Sequence, residues 1–203
     1  MTEPNGKGFV DHLNLYDCSK VSDGASAIAI VSEEGLKRIG IPKSEAVEVM
    51  GWGHVEDDIT RQPADPTELA TSRQAVSNAL ESSGITSDQI GTAEIHDCFS
   101  IAAVEAVEAM GFAKKGQGAE FILAGNTARN GMIPINTTGG LIGWGHPTGA
   151  TGVHQAVTLL EQLTGKAGDS QITLSSARPY GLSVNMGGND KTIVAIVYRK
   201  GDA

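Results

Sequence analysis

The chain has 203 residues, 40% of them hydrophobic, with a formal net charge of −9. That length and apolar content are enough for one ordinary domain with a buried core, and negative charge spread without an acidic block argues against general affinity for nucleic-acid phosphates. No apolar run approaches the roughly 20 residues that span a bilayer, and the first residues lack the charged-then-apolar pattern of a secretory signal. The two cysteines, Cys18 and Cys98, are too few for a disulfide framework and have no metal-ligand spacing, so reduced thiols, no bound metal and a cytoplasmic location are expected.

The chain opens with a polar, glycine-bearing leader that runs into Ala27-Ile28-Ala29-Ile30-Val31, an apolar run of strand length that needs cover on both faces. Ser32-Glu33-Glu34 has the chemistry of a helix start, with a serine cap and early carboxylates, and Gly40 before Pro42 stops that helix. Residues 45–55 read as a second strand. Pro63 to Pro66 mark a loop before a helix from about Thr67, with Ala75, Ala79 and Leu80 on its inner face and Gly84 at its end. Ala93-Glu94-Ile95 is a brief strand followed at once by His96-Asp97-Cys98-Phe99-Ser100 and an Ala/Val-rich helix to Met110, with Gly111 just beyond it.

From Gly116 to Gly152 the sequence is dense in Gly, Asn, Thr and Pro, too long for an idle connector and therefore a candidate functional loop. A helix is expected from about Ala150 to Leu163, where Val153, Ala156, Val157, Leu160 and Leu163 recur at helical spacing. Gln171–Leu174 and Thr192–Tyr198 read as two closing strands, the second apolar enough for a sheet interior. Alternating strands and helices give an α/β class.

Two places carry candidate chemistry. His146 stands among glycines directly before a helix, where backbone can approach a ligand closely and unpaired helix N–H groups favour an anion or a developing oxyanion. A glycine-rich structural turn with a hydrogen-bonded histidine is the alternative for that loop alone. His96 and Cys98 follow the carboxyl end of a strand, where open α/β sheets present their ligand sites; there a thiol beside a histidine can have a lowered pKa. With a glycine turn at Gly187-Gly188, these residues supply a base, a second acid/base and oxyanion donors, the parts of thioester chemistry.

The run from Asn136 through Gly139-Gly140 and Gly145-His146-Pro147 to Gly152 is similar to the thiolase signature, and Val21-Ser22-Asp23-Gly24-Ala25-Ser26-Ala27 resembles the Asp-Gly-Ala-Ala strand entry near the middle of thiolase chains. His96-Asp97-Cys98-Phe99 resembles the branch of sterol-carrier-protein thiolases, in place of the usual Asn-Glu-Ala-Phe. The resemblance covers the whole chain but only part of the family's subunit. It implies a thiolase fold: residues 1–44 form the tail of the N-terminal half, and 45–203 the C-terminal domain with a mixed five-stranded sheet flanked by helices.

The resemblance also implies roles. His146 matches the histidine that activates a nucleophilic cysteine, His96 an oxyanion-hole donor, and Cys98 the acid/base at the substrate α-carbon. Gly187 and Gly188 match the turn near a second oxyanion hole, where Asn185-Met186-Gly187 replaces the usual Cys-x-Gly. Asn136, Gly139, Gly140, Gly145 and Pro147 form the substrate loop.

The family's nucleophile precedes every matched residue. Cys18 lacks its context and reads as a packing residue, and the echo Gly51-Trp52-Gly53-His54 reads as coincidence because no proline or glycine helix start follows. His12 and His154 belong to no motif. The implied activity is reversible Claisen chemistry on 3-ketoacyl-CoA, with coenzyme A thioesters as substrates and no bound cofactor. The implied assembly is a homodimer, or a heteromer with a chain carrying the N-terminal half. A subunit of a split enzyme, a non-catalytic acyl-CoA-binding protein and a gene fragment stay open beside it. The CoA phosphates have no diagnostic cation among Arg61, Lys114, Lys115, Arg129 and Arg178.

Overall fold

A computed structural model describes residues 13–202; His12 and most of the polar leader lie outside them. Helix α1 (Glu33–Ile39) begins at Ser32, whose hydroxyl accepts the Gly35 N–H at 3.1 Å, and ends at Gly40 with φ 73°. Then follow β1 (Val47–Glu56), α2 (Ala70–Ser83), β2 (Ile90–Glu94), α3 (Ser100–Ala109), α4 (Gly118–Leu123), α5 (Gly140–Trp144), α6 (Thr151–Thr164), β3 (Tyr180–Gly187) and β4 (Thr192–Lys200).

The sheet has four strands in the order β1-β4-β3-β2, antiparallel except for the parallel β2–β3 pair. The sheet thus has one strand fewer than the five expected; beyond β2 a single parallel bridge joins Ala93 to Ile135, where Pro134 has no N–H to give and Asn136 turns the backbone to φ 49°. Strand β4 shows the period of two that fixes the layers. Ile193, Ala195 and Val197 enter the core beneath α2 and α3, whereas Ile196 and Tyr198 pack with Ala156, Leu159 and Leu163 of α6 on the other face.

Glycine permits the closest approaches. A Cβ at Gly53 would run into the Ala75 carbonyl of α2, so the Gly51-Trp52-Gly53-His54 run serves helix–strand packing. Helix α2 starts three residues later than expected because its cap comes from far along the chain. The buried Asp190 carboxylate accepts the Thr71 N–H at 2.8 Å and the Ser72 N–H at 2.9 Å.

Two expected strands are absent. Gln171–Leu174 is not a strand, since the Ile172 N–H is satisfied at 3.0 Å by the Gln162 side chain of α6 rather than by a neighbouring strand. Residues 27–31 pair with no strand among the described residues, and Ile30 is 83% exposed. Strand β3, which Gly181 and Asn185 make a poor strand by composition, was not expected. The Gly116–Gly152 stretch contains the short helices α4 and α5.

Candidate active site

The chain leaves the carboxyl end of β2 as Ile95-His96-Asp97-Cys98 and turns into α3. Asn136 clamps this exit, its Oδ1 accepting the Ile95 N–H at 2.7 Å and its Nδ2 donating to the Ile95 carbonyl at 3.2 Å. Asp97, buried, accepts the Leu141 N–H at 2.7 Å and so caps α5. Gly140 has φ 62°, and a Cβ there would overlap the Asp97 carboxylate and the Asn136 amide. The Asn136–Gly140 loop is thereby locked beneath the His96 turn.

The rings of His96 and His146 meet edge to face, with centroids 4.8 Å apart. His96 is 6% exposed, and its Nδ1 lies 3.3 Å from the Met186 backbone N–H and 3.3 Å from the Asn185 amide nitrogen. A backbone N–H only donates, so Nδ1 is the bare nitrogen and the proton resides on Nε2. Burial, reinforced by His146, pushes the His96 pKa down to about 4. At neutral pH His96 is therefore an uncharged N–H donor.

His146 has the opposite arrangement. Its Nδ1 is 2.8 Å from the Thr151 hydroxyl, and that hydroxyl donates to the Pro147 carbonyl at 3.1 Å. With its proton spent there, the hydroxyl accepts from His146 Nδ1–H, leaving Nε2 with a free lone pair. Burial lowers the pKa of His146, and the Asp97 charge partly opposes this. One imidazole presents a proton and the other a base.

The segment before α1 closes against this pair. Val21 forms a parallel bridge with His146, and the Ser22 hydroxyl accepts the His146 N–H at 3.3 Å. Gly145, at φ 120°, leaves no space for a Cβ beside Ser22. A cleft of about 410 Å³ runs between Ser22–Ser26 and Pro147–Ala150. Ser19 N–H donates to the Cys98 carbonyl at 2.8 Å, and Cys18 bridges to Phe99, so Cys18 belongs to the same seam.

Cys98 is half-buried, and burial followed by the Asp97 charge raises its pKa. The lowered value expected from its helix-start position is overturned, because desolvation and a neighbouring carboxylate outweigh the donors at the start of α3. Gly187 closes β3, and Gly188 turns with φ 66°; the contacts to His96 come instead from Asn185 and Met186.

Sequence reasoning assigned no role to Asn185 or Thr151. Thr151 carried a signal, a hydroxyl residue four positions after Pro147 in the first helical turn; Asn185 stood out only as the residue in place of the family's usual cysteine, which did not foretell its contact with His96. Glu94 was also passed over: it is buried, and burial followed by the Asp97 charge raises its pKa to about 8. His154 stacks on Trp144 with ring centroids 3.7 Å apart.

The family model for thiolase C-terminal domain-like proteins matches residues 53–200. An acetyl-CoA acetyltransferase of Methanothermobacter thermautotrophicus is 34% identical over 97% of this chain and 50% of its own length. Human sterol carrier protein 2 is 36% identical over 82% of this chain and 31% of its own. The solved structure of an Ltp2-ChsH2(DUF35) aldolase superposes with a TM-score of 0.77 at 20% identity, over 97% of this chain and 50% of that one, a likeness of fold. The chain thus spans half or less of the length of these relatives. With its sheet, its Asn136–Gly152 loop and its paired imidazoles, the chain belongs to the thiolase superfamily and carries the family's C-terminal domain.

Proposed function

We propose that the chain provides the C-terminal half of an acyl-CoA acyltransferase site of the thiolase type, acting on coenzyme A thioesters without a bound cofactor. The observation that carries this reading is a pair of imidazoles in edge-to-face contact whose hydrogen-bond partners assign bare nitrogens on opposite sides of the two rings. In the cleavage direction, His146 Nε2 takes the proton of a cysteine thiol supplied from outside the matched residues. The resulting thiolate attacks the C3 ketone of a 3-ketoacyl-CoA, and the C2–C3 bond breaks. His96 Nε2–H donates to the thioester oxygen on which the acetyl-CoA enolate charge gathers, and the Cys98 thiol, protonated at neutral pH, gives its proton to C2. The Cys98 thiolate then takes the thiol proton of coenzyme A, whose sulfur attacks the acyl-enzyme carbonyl; the carbon–sulfur bond to the enzyme cysteine breaks, and that cysteine leaves as the thiolate beside protonated His146.

A second reading concerns assembly: residues 1–44 complete a sheet with a separate chain that carries the N-terminal half and the nucleophile. The run at Ile28–Val31, exposed and without a strand partner among the described residues, favours it together with exposed Ile39 and Ile41. The test is acetoacetyl-CoA thiolysis by the chain alone and after co-expression with the products of neighbouring genes. Activity is expected only in the assembled form and should fall about 10³-fold on His146→Ala. An assembled enzyme that keeps its rate in that variant contradicts the catalytic reading; no gain on co-expression with any neighbour contradicts the split arrangement.

A further inference from the structure

A second concave site lies at the other end of β2. Gly91, near the start of that strand, lines a cleft of about 420 Å³ together with Arg129, Asn130, Thr173, Ser175 and Arg178. Gly91 lies near the start of β2 whereas His96 follows its end, and the cleft lining includes neither imidazole, so its reading does not depend on the thiolase chemistry.

Both arginines are held in place without being neutralised. Arg178 Nη1 donates to the Met132 carbonyl at 2.8 Å. Arg129 Nη1 donates to the Asp169 carbonyl at 2.6 Å, and its Nη2 reaches Ser170 Oγ at 3.3 Å and the Thr137 carbonyl at 3.4 Å. Neither guanidinium forms a salt bridge among the described residues, and no carboxylate side chain lines the cleft.

In a chain of 24 acidic and 15 basic residues, a concavity with two cations and no anion is the reverse of what composition favours. Each arginine has five N–H donors in a planar fork and uses only some of them on these neutral oxygens. Thr173, Ser175 and Asn130, which carry two hydroxyls and an amide, line the same cleft. Gly91 sets the approach: a Cβ there would overlap the Arg178 carbonyl, so the arginine backbone packs directly on β2.

We infer that this cleft binds a phosphoryl-bearing small anion, with Arg129 and Arg178 as the charged donors. Arginine forks match phosphoryl oxygens two at a time, and donors already oriented by carbonyls lose little conformational freedom on binding. The same phosphoryl chemistry is offered by the nucleotide end of coenzyme A and by free phosphate compounds.

The test is an amide ¹H–¹⁵N titration of the 203-residue chain with sodium pyrophosphate, with coenzyme A, and with sodium chloride at matched ionic strength. Saturable shifts at Gly91 and Gly131 are expected with pyrophosphate, with a Kd below about 1 mM. Arg129→Gln or Arg178→Gln should weaken binding about tenfold. Asn130→Asp should do the same while leaving both arginine–carbonyl contacts in place, which guards against a variant that fails merely by unfolding. Coenzyme A shifting the same amides assigns the nucleotide end as the source, and pyrophosphate alone doing so assigns a free phosphate compound. Absence of saturable shifts, shifts reproduced by chloride, or binding that survives all three substitutions overturns the inference.

Discussion

Residues 47–200 and the segment before them treat their apolar side chains in opposite ways. In the sheet domain, alternate residues of β4 enter two separate cores, and Ile193, Ala195 and Val197 are fully enclosed. In the segment, Val21, Ile30 and Ile39 face outward, although Ala27–Val31 is as apolar as much of β4. An apolar run becomes a strand only where neighbours offer both hydrogen bonds and cover. His146 lies where the two regions meet, tied to α6 through Thr151 and to the segment through Val21 and Ser22.

The largest effect is expected at that seam. His146→Ala should lower kcat/KM for acetoacetyl-CoA thiolysis by about 10³-fold in the assembled enzyme, the range of a lost general base. Next comes the loop inside the domain. Gly140→Ala forces a positive φ on a side chain and drives its Cβ against Asp97, so urea unfolding should show a loss of about 3 kcal/mol at unchanged slope.

Glu94 provides a third test, now of pH. Its folded pKa, about 8, lies above its ordinary 4.5, so the folded state holds the proton longer than the unfolded chain does. Its contribution to stability is complete below pH 4.5 and is lost as pH rises towards 8. His96 acts in the opposite sense but only below its ordinary 6.5, down to about 4. Above the His96 window and still within that of Glu94, Glu94→Gln should remove a slope of up to about 1.4 kcal/mol per pH unit, read from urea midpoints at pH 7 and 8. An unchanged slope would show that Glu94 is ionised in the folded protein.

The smallest effect belongs to the segment. Ile30→Ser should change the stability of the isolated chain by less than about 0.5 kcal/mol, because the side chain is already in water. A loss of several kcal/mol would show that the segment is covered by its own chain and would erase the contrast between the regions.

Much of the fold was legible because its signals are local. Ser32 and Gly40 bound α1, and the spacing of Ala156 and Leu163 announced α6. What escaped was set by distant partners: the cap of α2 comes from Asp190, and the Ile172 backbone is satisfied by Gln162. In the site, His96 and His146 were visible through their motifs, but their protonation was not. Asn185, Met186 and Thr151 decide it, and only folding brings Asn185 and Met186 to His96. The Cys98 pKa was misjudged for the same reason, since helix position is readable in sequence whereas burial beside Asp97 is not.

The most direct test is ¹⁵N NMR of the imidazole nitrogens in the isolated chain at neutral pH. The bare nitrogen should be Nδ1 in His96 and Nε2 in His146, with His96 remaining uncharged down to about pH 5. The same tautomer on both rings, or a His96 that takes up a proton near pH 7, would contradict the pairing of one donor with one base.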